Sequence, residues 1–372
     1  MVSRPAEERV QDAIGVADLS FQQPNEVHFR AEGMQDQRRS GHSGRNTNEI
    51  DRARAREVGR GRHAVGPEGI PAAGWKDILY RVFWAIPSDR ILSVSGGVAF
   101  FTLLAAFPGI ATIVSLYGLV ADTSTIADHL TLLTNILPAG VLDLVSEHIT
   151  LIADEAGERL GLAFVVGLIL ALWTANAGIV ALFDALNVVY DEKEKRSPLR
   201  LYATTLLFTL GGVAFVVAAL LGVIILPIAL KFVGSGASAE ILLKFIRWPI
   251  LLIVLIGYLA AVYRYGPSRR DARWRWVAAG SCAAAVLWIA ASMLFSWYVV
   301  SFDSYNRIYG SLGAGVGFMM WIWLSAVIVL LGAELNAEME HQTARDTTVG
   351  IERPLGGRGA QMADHIGRAQ PE

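Results

Sequence analysis

A single cysteine, Cys282, stands in the whole chain, so no intramolecular disulfide can form and no cysteine-based metal site can be built. Within its apolar surroundings it reads as a small packing residue. Charge is scarce as well. Asp, Glu, Lys and Arg make up 18% of the residues against 53% hydrophobic, below the roughly 25% charged that is usual in soluble domains. The formal net charge of −2 gives no reason to expect nucleic acid as a partner. The phosphate-binding pattern G-x-x-x-x-G-K-[ST] is missing, which argues against an ATP-driven pump on this chain. There is no nucleophile elbow and no zincin helix. His129 and His148 share one segment but lie too far apart in sequence to read as a metal pair.

What the chain has instead is long apolar runs. Six blocks, at about 91–121, 160–183, 201–230, 242–263, 276–302 and 312–333, are each long enough to cross a bilayer core about 30 Å thick as a helix. Five carry no charge at all, and the block at 242–263 carries only Lys244 and Arg247, near its start. Backbone amides in lipid must pair within their own segment, so these runs are helices. The fold class is therefore all-α, a polytopic membrane helix bundle with six transmembrane helices.

Lys and Arg cluster in alternate connections. Lys76, Arg81 and Arg90 precede the first span; Lys193, Lys195, Arg196 and Arg200 follow the second; five basic residues fill 264–275. The segment 122–159 has Arg159 alone against seven acids. The positive-inside rule then puts both termini in the cytoplasm. Apolar residues recur at helical spacing in 122–159 on either side of Pro138, which predicts an extracytoplasmic helical hairpin between spans one and two. Trp75, Ile78, Leu79, Val82, Phe83 and Ile86 predict an amphipathic helix leading into the first span. Residues 1–70, rich in Arg, Gln, Gly and Asn, read as a disordered cytoplasmic tail, as do residues 341–372, leaving 71–340 as the membrane domain. Gly313 and Gly317 have the spacing of a close helix contact.

The spans hold no mid-membrane carboxylate, lysine or arginine, so no ion pair at the bilayer centre is available. Asn176 is the polar side chain there that most needs a partner. An internal echo stands out: in the second and sixth spans an acid follows a tryptophan by eleven residues, Trp173 to Asp184 and Trp323 to Glu334, with Asn187 and Asn336 just beyond. A carboxylate at a helix C-terminus opposes the helix dipole, so something should offset it. Asp184 and Glu334 are therefore expected to meet basic residues such as Arg196, Arg264 or Arg270 at a cytoplasmic gate. The candidate gate or structural polar positions are Asn176, Asp184, Asn187, Arg196, Glu334 and Asn336; no catalytic, cofactor or metal residue is assigned.

Three stretches resemble the YihY/virulence factor BrkB family of membrane proteins, once labelled ribonuclease BN. They are Ala99-Phe-Phe-Thr-Leu-Leu-Ala-Ala-Phe-Pro108; Leu186-Asn-Val-Val-Tyr190 with Glu194 and Arg196; and Tyr309-Gly-Ser-Leu-Gly313, Trp321-Ile-Trp323-Leu-Ser325 and Gly332-Ala-Glu-Leu-Asn336. The likeness covers about 75–340, departing mildly at Ala105-Ala106, where the family usually reads Ser-Leu. It implies a six-span inner-membrane protein. Three functions are carried forward: a transporter-like or permeation protein for an unidentified small solute or lipid, an envelope scaffold, and, least supported, a membrane-tethered ribonuclease. The expected partners are the bilayer and that solute or lipid, with a homo-oligomer left open and nucleic acid not expected.

Overall fold

The chain divides into two compact units, residues 1–52 and 53–372. The computed structural model describes residues 49–120, 157–221, 237–301 and 311–370. Of the first unit this includes only 49–52. The expected hairpin at 122–159 lies outside the described residues.

Helix α1 (Ala72–Ser88) leads into six long helices: α2 (Ile91–Val120), α3 (Gly157–Val189), α4 (Pro198–Leu220), α5 (Ala237–Tyr265), α6 (Trp274–Ser301) and α7 (Ser311–Glu340). A short α8 (Gln361–Asp364) follows. Each of α2 to α7 contains a stretch of 21 to 29 residues apolar enough to span a bilayer. Only 17–39% of the most apolar window in each is buried inside the protein. The remaining apolar surface faces outward, which is stable in lipid and not in water. Leu162, Ile169, Trp173, Leu207, Ile253 and Met293 all project from the bundle in this way. No strand occurs among the described residues; Ala272 and Thr348 form one isolated bridge. The all-α six-span bundle expected from the apolar runs is the observed fold.

One end of the bundle carries 53–90 and the connections 190–197, 266–273 and 341–370; it is called the proximal end here. Arg90 has φ +52 and turns the chain from α1 into α2. Asp191 has φ +49 and ends α3. In contact order the helices close a ring, α2–α3–α4–α5–α6–α7–α2, with α2 against α3 the most extensive contact. Among the described residues, α4 against α5 is the loosest seam of that ring. The core lies in the proximal half, around Phe183, Leu186, Tyr190, Val262, Tyr263, Leu330 and Ala333.

The expectation of unstructured tails fails for residues 53–70 and 341–370. Arg62 is buried and donates to the carbonyls of Gln342 and Gly367. Thr343 donates its hydroxyl to Ala64 O at 2.8 Å, and Ala344 N–H donates to Arg62 O at 2.7 Å. Arg358 is buried among the carbonyls of Ala344, Arg345 and Ala363. Order here comes from guanidinium groups saturating backbone carbonyls, and such a device leaves no apolar periodicity to detect. The close contact expected at Gly313 and Gly317 is not found at Gly317, where a Cβ would meet nothing within 4 Å. Gly332, fifteen residues further along α7, fills that role against Gly280 and Ala284 of α6.

Candidate functional site

The six polar positions separate into four groups. Asn176 lies in the ring, its Oδ1 3.2 Å from the Thr209 hydroxyl of α4, and both residues are buried. This pair supplies the partner that an amide within a span requires.

Asn187 and Arg196 belong to one knot at the proximal end. Asn187 Oδ1 accepts from Ser268 N–H at 2.7 Å, and its Nδ2 donates to Glu194 Oε2 at 3.1 Å. Arg196 grips the same carboxylate through Nε at 2.8 Å and Nη2 at 2.7 Å, and donates also to the carbonyls of Tyr265 and Gly266. Its guanidinium stacks 5.3 Å from the Phe183 ring centroid. The Arg196 hydrogen bonds, with help from Asn187, hold the Glu194 carboxyl down at about 2. The knot fastens the ends of α3 and α5 to the start of α4.

Asn336 is a clamp between α6 and α7. It is fully buried, accepts from Gly280 N–H at 2.8 Å and donates to Val277 O at 3.2 Å. The two acids do not form the expected gate. Asp184 is exposed on α3, within electrostatic reach of the expected Arg196. Glu334 is buried, and its Oε2 has no hydrogen-bond partner. Arg264 is spent on Ala272 O and on the Trp274 ring, and Arg270 reaches Ile351 O, so neither meets Glu334.

Sequence reasoning missed the two buried ion pairs nearby. Arg269 and Glu340 pair through two bonds of 2.8 and 2.7 Å, with both side chains fully buried. Arg269 also stacks 4.1 Å from the Tyr190 ring centroid, and Thr347 donates to Glu340 at 2.8 Å. Burial alone would lower the Arg269 guanidinium, but the Glu340 charge and hydrogen bonds hold it above its ordinary value. Burial pushes the Tyr190 phenol up. Arg81 pairs with Glu338. The signal was available: acids at 334, 338 and 340 follow one another on a helix end, and two arginines, Arg269 and Arg270, sit in the neighbouring connection.

Two openings adjoin this belt. A cleft of about 970 Å³ lies along the α4–α5 seam. Its proximal part is lined by Lys195, Arg196, Arg200, Arg269 and Arg270, with Asp271 the acid among its lining residues. Further along it is lined by Leu207, Phe208, Gly211 and Tyr258. From Arg200 to Gly211 it follows α4 for roughly 16 Å at 1.5 Å per residue. Gly211 and Gly212 leave room for the Tyr258 ring, which donates its hydroxyl to Phe208 O at 3.0 Å. Arg270 Nη1 is buried beside this cleft with no hydrogen-bond partner. The second opening, a chamber of about 590 Å³, receives Glu334, Glu338, Asp89 and Asp191 from the acids and is walled by α1, the ends of α3 and α7, and the chain after α8. Among the described residues, no group of three or more His, Cys, Asp or Glu side chains is arranged to hold a metal ion.

Residues 82–353 match the family described as Virulence factor BrkB. The chain belongs to this family. It is 33% identical over 249 residues to the ribonuclease-like protein YfkH of Bacillus subtilis (strain 168), covering 66% of this chain and 88% of that one. It is 29% identical over 275 residues to a UPF0761 membrane protein of Aromatoleum aromaticum, covering 73% and 65%. A UPF0761 membrane protein of Haemophilus influenzae (strain 86-028NP) is 26% identical over 272 residues, covering 70% and 94%. The chain thus spans slightly less than two-thirds of the Aromatoleum relative's length. No solved structure matches it. The knot, the clamp, the Arg269–Glu340 pair and most of the cleft lining fall inside the matched Virulence factor BrkB region, as does Glu338, whose partner Arg81 immediately precedes that region.

Proposed function

We propose that this membrane protein is transporter-like and that its substrate is an anionic amphiphile, a lipid or a lipid-like solute, taken up along the α4–α5 seam. The observation that carries this reading is the cleft's division into a cationic part and an aromatic part. Guanidinium groups bind phosphate or carboxylate oxygens in forked geometry. Apolar and aromatic walls suit an acyl or isoprenoid chain, and the size lies within the range of small-molecule sites. The basic part sits at the proximal end, which the Lys and Arg distribution assigns to the cytoplasm, where anionic headgroups attract cations. The loose seam supports lateral entry from the bilayer.

The ribonuclease-like name belongs to the Bacillus relative, and the polar belt of this chain lends it little. Phosphodiester hydrolysis by general acid and base needs two groups poised at the substrate. Here Glu194 is bonded to Asn187 and Arg196, and Glu340 to Arg269.

The test is lipid binding to delipidated protein, read by native mass spectrometry with phosphatidylglycerol and phosphatidylcholine in competition. Wild type should retain phosphatidylglycerol selectively, and Arg200→Gln with Arg270→Gln should lose that selectivity while keeping the wild-type unfolding temperature. Equal retention of both lipids by wild type would refute the reading.

A further inference from the structure

We propose that Glu334 is a proton-binding residue, taking up and releasing a proton in the chamber walled by α1 and the ends of α3 and α7. This site is separate from the α4–α5 cleft. Its coupling to substrate movement rests on the transport reading above, whereas proton binding itself does not.

Glu334 is 1% exposed, lines the chamber and has an Oε2 without a hydrogen-bond partner. A buried carboxylate left unpaired is costly as an anion, and a proton relieves it. Of the cations around the chamber, Arg81, Arg54 and His341 are engaged with other groups, and Arg368 is exposed. Arg81, from α1, donates to the Glu338 carboxylate, to Gln342 Oε1 at 2.8 Å and to the carbonyls of Glu338 and Arg368. Arg54 donates to Ile366 O at 2.7 Å. His341, one turn beyond Glu338, lies 3.5 Å from that same acid. Tyr80 faces the chamber from α1, Asp89 from the turn after it, Asp191 from the end of α3, and Arg368 from the chain after α8. The charges that reach Glu334 are those of Glu338 and Asp89, both negative. Burial, reinforced by Glu338 and Asp191, also raises the Asp89 carboxyl, so the chamber as a whole resists adding negative charge.

A metal or alkali cation would need several oxygens converging on one point. Among the described residues, no group of three or more His, Cys, Asp or Glu side chains is arranged to do so. A proton needs one oxygen: an O–H bond forms on Glu334 with a proton from the water of the chamber, and breaks when the proton returns there.

The test is infrared difference spectroscopy of the purified, reconstituted protein as the pH rises from acidic to alkaline. The expected result is a protonated-carboxyl band that titrates away in wild type and is missing in Glu334→Gln, with the unfolding temperature of the variant unchanged at neutral pH. If Glu334→Gln does not fold, Glu334→Asp serves, and the titration midpoint should shift. A band that persists in Glu334→Gln, a midpoint unmoved in Glu334→Asp, or a response to sodium or potassium at fixed pH overturns the proposal. Labelled phosphatidylglycerol in the same proteoliposomes separates the two readings. Loss of the band in the variant without any lipid movement in wild type retains the proton site and removes transport. Lipid movement accelerated by a pH gradient in wild type but not in Glu334→Gln supports both.

Discussion

At the scale of single residues, the proximal belt depends on side chains that answer one another's charge. Among the described residues, Glu340 is the carboxylate in ion-pair contact with Arg269, and both are fully buried. Removing one member strands the other, which typically costs about 3–5 kcal/mol. Glu340→Gln should therefore lower the unfolding temperature in detergent far more than Glu68→Gln, whose exposed carboxylate lies 3.5 Å from Arg275. Equal effects would mean that Arg269 finds another partner. Glu194 gives a pH dependence with a definite sign. Its carboxyl is depressed to about 2 by Arg196 in the folded state, whereas an unfolded Glu titrates near 4.3. The stabilisation is thus complete above the unfolded value and is lost as the pH falls from there toward about 2. Wild type should lose stability over that interval more steeply than Glu194→Gln, as measured by thermal unfolding along an acid series. Parallel curves would contradict the knot.

At the scale of elements, close helix approach decides which glycines matter. A Cβ on Gly332 would lie 2.6 Å from Ala284 Cβ and 2.6 Å from Tyr263 Oη, so α6 and α5 would both have to give way. Gly332→Ala should destabilise by about 1–3 kcal/mol. Gly317→Ala, open on all sides, should stay within about 0.5 kcal/mol of wild type. A reversed order in chemical or thermal unfolding would contradict the packing of α7. The six spans were legible because an apolar run of fixed length has one solution in lipid. Asn176 was legible as a residue needing a partner and Asn336 as a candidate polar position, but their roles were not, since those depend on which helix stands opposite. The echo of Asp184 and Glu334 misled for the same reason: sequence places both at helix ends, while the packing exposes one and buries the other. The arrangement of 53–70 and 341–370 left no trace in hydrophobic periodicity because buried arginines and carbonyls hold it. Glu338 and Glu340 drew no reading from the sequence, because only the packing sets Arg81 and Arg269 beside them.

At the scale of the whole molecule, a ring of six helices is fastened firmly at α2–α3 and α6–α7 and loosely at α4–α5. The cleft that joins basic and aromatic walls runs along this loose seam. If substrate travels there, fixing the seam must stop it without touching the charges. Cysteines replacing Leu207 on α4 and Ala261 on α5, both lining the cleft, in a Cys282→Ser background, would permit that with a short bifunctional reagent. The deciding measurement is the rate at which labelled phosphatidylglycerol exchanges between leaflets of proteoliposomes, before and after cross-linking. The account predicts exchange above protein-free vesicles, at least about tenfold loss on cross-linking, equivalent to 1.4 kcal/mol or more, and recovery when the link is cleaved. Exchange that is unchanged by a verified cross-link, or no faster than in empty vesicles, would contradict it.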